Sequence, residues 1–258
     1  MNAGVDKKPS GAQSIERMAT LMRAICANND EGGRLVDLSR QAGLRQPTVR
    51  RMLKSLIGQR MVMQDEATRR YFLGHAIYEF GLTASRRFNL RDFCQTSLDR
   101  IATQTGDTAF LMVRSGTDAV CVDRREGAFP IKAFALNVGD RRPLGIGAGA
   151  LALLSRLPDA DVQALAHANS DLLAKYGVLD LEALLALVRR TRELGYALHD
   201  ARAEPGIKMI GMAICNSREE PVAAISVSAI ASRFTAKRRG ELIHLLSEQI
   251  RAIEARLL

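Results

Sequence analysis

The sequence predicts an α+β protein in two parts: a small basic helical head closed by a hairpin, and a larger body of mixed helices and strands, joined by a helix. Three observations carry this expectation. Apolar residues keep helical spacing through most of residues 14–57, then shorten to strand spacing over 61–74 and again over 107–127. Basic charge gathers at one end, since residues 1–88 hold 15 Lys and Arg against 8 Asp and Glu, while the rest of the chain is nearly balanced. The closing stretch TAKRRGELIHLLSEQIRAIEARLL is one long amphipathic helix pattern.

The bulk numbers exclude several classes. With 258 residues, two domains of ordinary size are favoured over one. A hydrophobic share of 47% supplies real cores, so neither a disulfide framework nor a structural metal is needed. Cys26, Cys94, Cys121 and Cys215 lie far apart and read as buried hydrophobes in a reducing compartment. No stretch approaches the roughly 20 apolar residues of a membrane span. The polar start MNAGVDKKPSGAQS lacks the apolar centre of a signal peptide, so a cytoplasmic location with no membrane partner is expected.

Taken in order, residues 1–13 read as a disordered lead-in and 14–74 as the head. Ser14 is a plausible N-cap for a first helix with apolar residues at 15, 18, 21, 22 and 25. LVDLSRQAG (35–43) is a shorter helix stopping at Gly43, a natural helix terminator. QPTVRRMLKSLIG follows directly, and MVMQDEATRRYFLG (61–74) reads as two strands around a polar tip at Asp65–Thr68. The 75–89 segment is the linker helix. Ile77, Tyr78, Phe80, Gly81 and Ala84 give it more apolar surface than a spacer needs, which suits dimerisation or packing back on its own head. The body occupies 90–258. It opens with a helix to Gly106, continues as paired strands 107–116 and 118–127 and a further strand 130–136, and reaches a glycine-rich turn running into a helix at 145–155. Helices near 159–168 and 180–193, strands at 195–200, 208–216 and 221–230, and the long last helix complete it.

Helix, short helix, tight turn and basic third helix make a helix-turn-helix, whose third element enters the major groove of double-stranded DNA. Val49, Met52, Leu53, Leu56 and Ile57 share the apolar face of that third helix, leaving Thr48, Arg50, Arg51 and Lys54 outward. Arg reads guanine edges, Gln46 suits adenine, and Thr48 suits a phosphate or a thymine methyl. Pro47 in the first turn lacks an N–H that would have no helical acceptor anyway, and its ring pushes Gln46 toward an extended conformation. The hairpin would be a wing carrying Arg69 and Arg70 toward the DNA backbone or minor groove. The competing reading is a helical bundle whose basic face is simply solvated.

This order of parts resembles the IclR family of bacterial transcription regulators over nearly the whole chain. The matching pieces are LVDLSRQAGLRQPTVRRMLKSL followed by YFLG, then VGDRRPLGIGAGALALL, ELGYALHDARAEPGIKMIGMAI and PVAAISVSAIASRF. The resemblance implies a winged helix-turn-helix, a linker helix, and an effector-binding domain of GAF/profilin-like fold with a mostly antiparallel sheet. It implies homodimers or dimers of dimers on a palindromic operator, answering to a small organic or aromatic acid. By position, Ala148 and Gly149 would offer backbone N–H groups at a helix start, which attracts a carboxylate without any cationic side chain. Ser226 and Ser228 alternate to one face of their strand. Met209 stands where several relatives carry a cysteine, and His199, with Asp200 beside it, where some carry an acid. A thioether at 209 favours a larger, less polar effector than a two-carbon acid. The same residues also admit plainer roles in helix packing, strand polar contacts and core.

Catalytic and metal readings find little support. The four histidines fall in different elements without metal-ligand spacing, so no metal and no cofactor are expected. GIGAGA lacks both a preceding parallel strand and a P-loop Lys-Ser/Thr. His199 and Asp200 would point to opposite faces of a strand, spoiling a general-base pair. The chain therefore reads as a ligand-responsive transcription regulator and not an enzyme. The alternatives are an enzyme for a small acid with a fused head, and a constitutive DNA-binding protein whose body only dimerises.

Overall fold

Helical periodicity in the head resolves into three helices sharing one core. The structure, a computed structural model, describes residues 12–85, 90–133, 136–176, 181–200 and 206–257. Most of the proposed lead-in therefore lies outside the described residues, as do the last residues of the linker. The chain divides into two units, residues 1–88 and 89–258.

The first unit contains α1 (Gln13–Ala27), α2 (Leu35–Ala42) and α3 (Gln46–Gly58), the strands β1 (Val62–Gln64) and β2 (Tyr71–Leu73), and α4 (His75–Ser85). Leu21 and Ile25 of α1, Leu38 of α2, and Val49, Leu53 and Leu56 of α3 are buried together. Two local expectations need correction. Ser14 does not cap α1, which starts at Gln13 after Ala12 with no side-chain cap. Gln46 is already helical, and Arg45 (ψ 141°) takes the extended conformation expected of Gln46. Pro47 still sits in the first turn, where a missing donor is harmless. Ile57, expected on the apolar face, is 38% exposed and stands outside the shared core.

The turn before α3 is closed by specific bonds. Gly43 adopts the left-handed conformation (φ 64°) at the end of α2. The Leu44 N–H donates to Ser39 O at 3.0 Å, and the Ser39 hydroxyl donates back to the Leu44 carbonyl. The antiparallel wing pairs Val62 with Leu73 and Gln64 with Tyr71, and Gly33 joins it through two 2.9 Å backbone bonds with Tyr71.

The second unit runs α5 (Leu90–Thr105), β3 (Thr108–Ser115), β4 (Asp118–Glu126), β5 (Arg141–Pro143), α6 (Ala148–Ser155), α7 (Asp159–Ala168), α8 (Ser170–Lys175), α9 (Leu181–Leu194), β6 (Ala197–Asp200), β7 (Ile207–Cys215), β8 (Pro221–Ile230) and α10 (Ala236–Glu254). The strands form one sheet in the order β5-β4-β3-β8-β7-β6, antiparallel at every pairing. Alternation along each strand feeds two cores. Ala109, Leu111, Ile225 and Val227 pack with α5 and α10. Phe110, Met112 and Ala224 face α6 and the helices behind it. Asp107, buried at the start of β3, binds Arg233 Nε at 3.0 Å and Arg238 Nη2 at 2.7 Å, which fastens the start of α10 to the sheet. Removing one partner of such a buried pair costs about 3–5 kcal/mol.

The 130–136 segment is not a strand over its described residues. Ala133 is buried while Ile131 is 59% exposed, and no ladder uses them. The partner of β4 is the three-residue β5, pairing Val120 with Arg141 and Asp118 with Pro143. Helix α8 was also not foreseen. Among the described residues, no helix is long and apolar enough to cross a membrane.

Candidate DNA interface and effector cavity

On α3, burial of Val49, Leu53 and Leu56 turns the opposite face to solvent. Gln46, Arg50, Arg51 and Lys54 are exposed and Thr48 is half-buried. No acidic residue occurs on this helix, so its outward field is uniformly positive. Arg45, absent from the sequence-based set, is exposed immediately before it. At the wing tip, Asp65 accepts 2.6 Å bonds from the Thr68 N–H and hydroxyl, and these bonds hold its carboxyl below the usual range. Arg69 is exposed with φ 59°. Arg70 differs from the expectation: its guanidinium donates to the carbonyls of Glu31 (2.9 Å) and Gly32 (3.1 Å), tying the wing to the α1–α2 loop.

In the second unit, a cavity of about 40 Å³ lies between the start of α6 and the sheet. Its helix end is closely packed on the sheet. A Cβ on Gly149 would stand 2.8 Å from Met112 Cγ and 3.3 Å from Ser226 Oγ, and one on Gly211 would stand 2.8 Å from the Ala148 carbonyl. These glycines bring the first turn of α6 directly onto β7 and β8. Gly147 precedes it at φ 82°, a conformation side chains resist. The first main-chain bond of the helix is Leu151 N–H to Gly147 O at 3.0 Å, so the N–H groups of Ala148, Gly149 and Ala150 have no helical acceptor.

Of the residues singled out by sequence, Ala148, Gly149, His199, Met209 and Ser226 line this cavity. Ser228 does not. It lies on the same sheet face, but its hydroxyl donates to Ala133 O at 2.6 Å in a fully buried setting. The Asp200 backbone pairs with Lys208, and its side chain is outside the described residues. Sequence reading missed Arg142, Tyr176, Phe110 and Met112 in the lining. Arg142 places its guanidinium carbon 5.5 Å from the Tyr176 ring centre. The cavity thus has a cation after all, beside the helix start. The Cys121 thiol, buried in the core that α6 shares, is pushed up to about 12, first by burial and then by Asp140. No group of His, Cys, Asp and Glu among the described residues could hold a metal.

Comparison with known proteins follows the same division. The IclR helix-turn-helix domain matches residues 14–66, and the C-terminal domain of the bacterial transcriptional regulator IclR matches residues 82–255. The transcriptional regulator XynR of Escherichia coli is 27% identical over 222 residues, covering 86% of this chain and 87% of its own. KdgR of the same organism is 23% identical over 257 residues, covering 99% and 97%. Among solved structures, an IclR transcriptional regulator from Alicyclobacillus acidocaldarius superposes with a TM-score of 0.78 at 21% identity, covering 94% of this chain and 97% of that one. An IclR homologue from Microbacterium hydrocarbonoxydans, solved in complex with 4-hydroxybenzoate, gives 0.73 at 19% identity, covering 94% and 98%. The helix-turn-helix head and the covered sheet are those of a DNA-binding transcription regulator, and the chain belongs to the IclR family.

Proposed function

We propose that the second unit binds a small carboxylate with an apolar or aromatic body, and that binding changes the affinity of the head for a palindromic operator. The carrying observation is the convergence of the α6 first-turn donors, the Ser226 hydroxyl and Arg142 on one mostly apolar cavity. Helix-start donors and an Arg suit a carboxylate, while Phe110, Met112 and Met209 suit a ring. The complex of a structural relative with 4-hydroxybenzoate supports this chemistry. At about 40 Å³ the cavity has room for a few waters, so its side-chain walls must shift to admit a ring. Exposed Tyr78 (66%), Phe80 (60%) and Leu82 (53%) on α4 support a homodimer, which a palindrome requires. The effector acts through linkage, shifting operator affinity by its differential affinity for two states. The site binds its acid without turning it over.

A calorimetric and thermal-shift panel of aliphatic and aromatic carboxylates tests this. A ligand at 100 times its Kd should add about 2.7 kcal/mol of stability. Arg142→Ala should weaken binding roughly tenfold or more, through loss of a charge-assisted contact. The acid should be recovered unchanged. If no acid raises the melting temperature, the reading fails.

A further inference from the structure

The wing carries two adjacent arginines, and the fold gives them different surroundings. Arg69 is exposed in the hairpin turn, in the left-handed conformation (φ 59°). Its main chain is tied on both sides: its N–H donates to Asp65 O at 2.9 Å, and its carbonyl accepts from Gln64 Nε2 at 3.0 Å. Arg70, next in the chain, is half-buried. Strand β2 pairs with β1 along one edge and meets the α1–α2 loop along the other. On the loop side, Gly33 exchanges two 2.9 Å backbone bonds with Tyr71, and the Leu73 N–H donates to Asn29 Oδ1 at 2.8 Å. Arg70 Nη1 adds bonds to the Glu31 and Gly32 carbonyls at 2.9 and 3.1 Å. Gly32 makes room for this contact, since a Cβ there would stand 2.4 Å from Phe72 Cζ and 2.8 Å from Arg70 Cβ. Asp30, Glu31 and Asp37 line the depression that holds Arg70, together with Arg34, so its charge is balanced before any DNA arrives.

We infer that Arg70 is a positioning residue for DNA binding: it fastens the wing to the α1–α2 loop so that Arg69 meets a phosphate, and it does not meet DNA itself. A hairpin of two three-residue strands is marginal alone, and the loop supplies the support it lacks. A cation presented from an anchored turn loses less freedom on binding than one on a loose hairpin. Losing the anchor and losing Arg69 therefore remove one and the same phosphate contact, and their effects on DNA binding should not add.

A double-mutant cycle on the full-length protein tests this, with a fluorescent duplex that the parent selects from a random-sequence pool. One lost phosphate contact lowers the slope of log K against log salt by about 0.9, which is about eightfold in affinity near 0.1 M salt. Arg69→Ala should show that loss for each bound head, and Arg70→Ala should match it. Adding Arg70→Ala to Arg69→Ala should weaken binding by less than about twofold and leave the slope where it was. Equal losses from Arg70→Ala in both backgrounds would overturn the inference, because they mark a separate phosphate contact or damage to the whole head. Parent-like binding by either single variant would overturn it too. Asn29→Ala leaves the charge of the wing intact and removes the acceptor of the Leu73 N–H. If Arg70→Ala weakens the fold of the head, the same cycle with Asn29→Ala decides: a flatter salt response in the parent background alone supports the anchor, and an unchanged one overturns it.

Discussion

Arg142 shows how a residue's neighbours decide its chemistry. It follows Arg141 on an edge strand, and the sequence marks the pair without saying which one faces the cavity. Arg141 is taken up by Asp118 at 2.9 Å and by the Ser115 carbonyl at 3.0 Å, and Arg142 lines the cavity. Ser226 and Ser228 pose the converse problem. Strand alternation correctly put both on one face, but only the folded chain brings the Ala133 carbonyl within reach of Ser228. Partners nearly a hundred residues apart leave no local signal. The buried thiols give a prediction at this scale. Burial raises Cys94 to about 11 and Cys121 to about 12, from an ordinary value of 9.0. Because the native state keeps these protons longer than the unfolded chain, their contribution is complete below pH 9. It declines as pH rises from there toward 11–12. Denaturant melts at pH 8, 9 and 10 should show stability falling by about 1 kcal/mol per unit per thiol above pH 9. A Cys94→Ala, Cys121→Ala protein should lose that part of the slope.

Elements with strong periodicity were legible and those without it were not. Helix α3 could be placed from its apolar face and its proline, with its boundary moved by a residue and Ile57 turned out of the core. The hairpin of β3 and β4 turned where expected, with Ser115 opposite Asp118. By contrast, β5 has three residues, two of them arginine and the third proline, so no pattern marks it. The 130–136 run follows the paired strands and is mostly apolar, yet Ala133 serves as a buried acceptor site beside β8. The functional claim for α3 is direct. Replacing Arg50 and Arg51 together with alanine should abolish specific operator binding in a gel-shift assay, while the melting temperature stays within about 0.5 kcal/mol equivalent of the parent. A large loss of stability would make them structural instead.

Two expectations belong to the whole molecule. Charge is uneven along the chain, with the excess on the head, so operator binding should weaken steeply with salt. For 6–10 phosphate contacts, affinity should drop by about 10³–10⁵ between 50 and 200 mM salt. A flat salt response would contradict binding through the basic face. Sedimentation tests the dimer proposed for α4: Tyr78→Asp with Phe80→Asp should give a folded monomer where the parent is a dimer, and reduce operator affinity in parallel. Both side chains are exposed, so folding itself should survive.

The contact of Gly149 and Gly211 has a consequence for how such a sensor changes its ligand. With a helix backbone resting on strand backbone, the α6 end of the cavity cannot be enlarged or reduced by a side chain without displacing α6. Variation in ligand size must therefore fall on the flexible walls, at Met112, Tyr176 and Met209. If the proposed carboxylate is held there, a regulator built this way exchanges one acid for another through few substitutions, because the anchored end stays fixed while the rest of the cavity is re-measured around it.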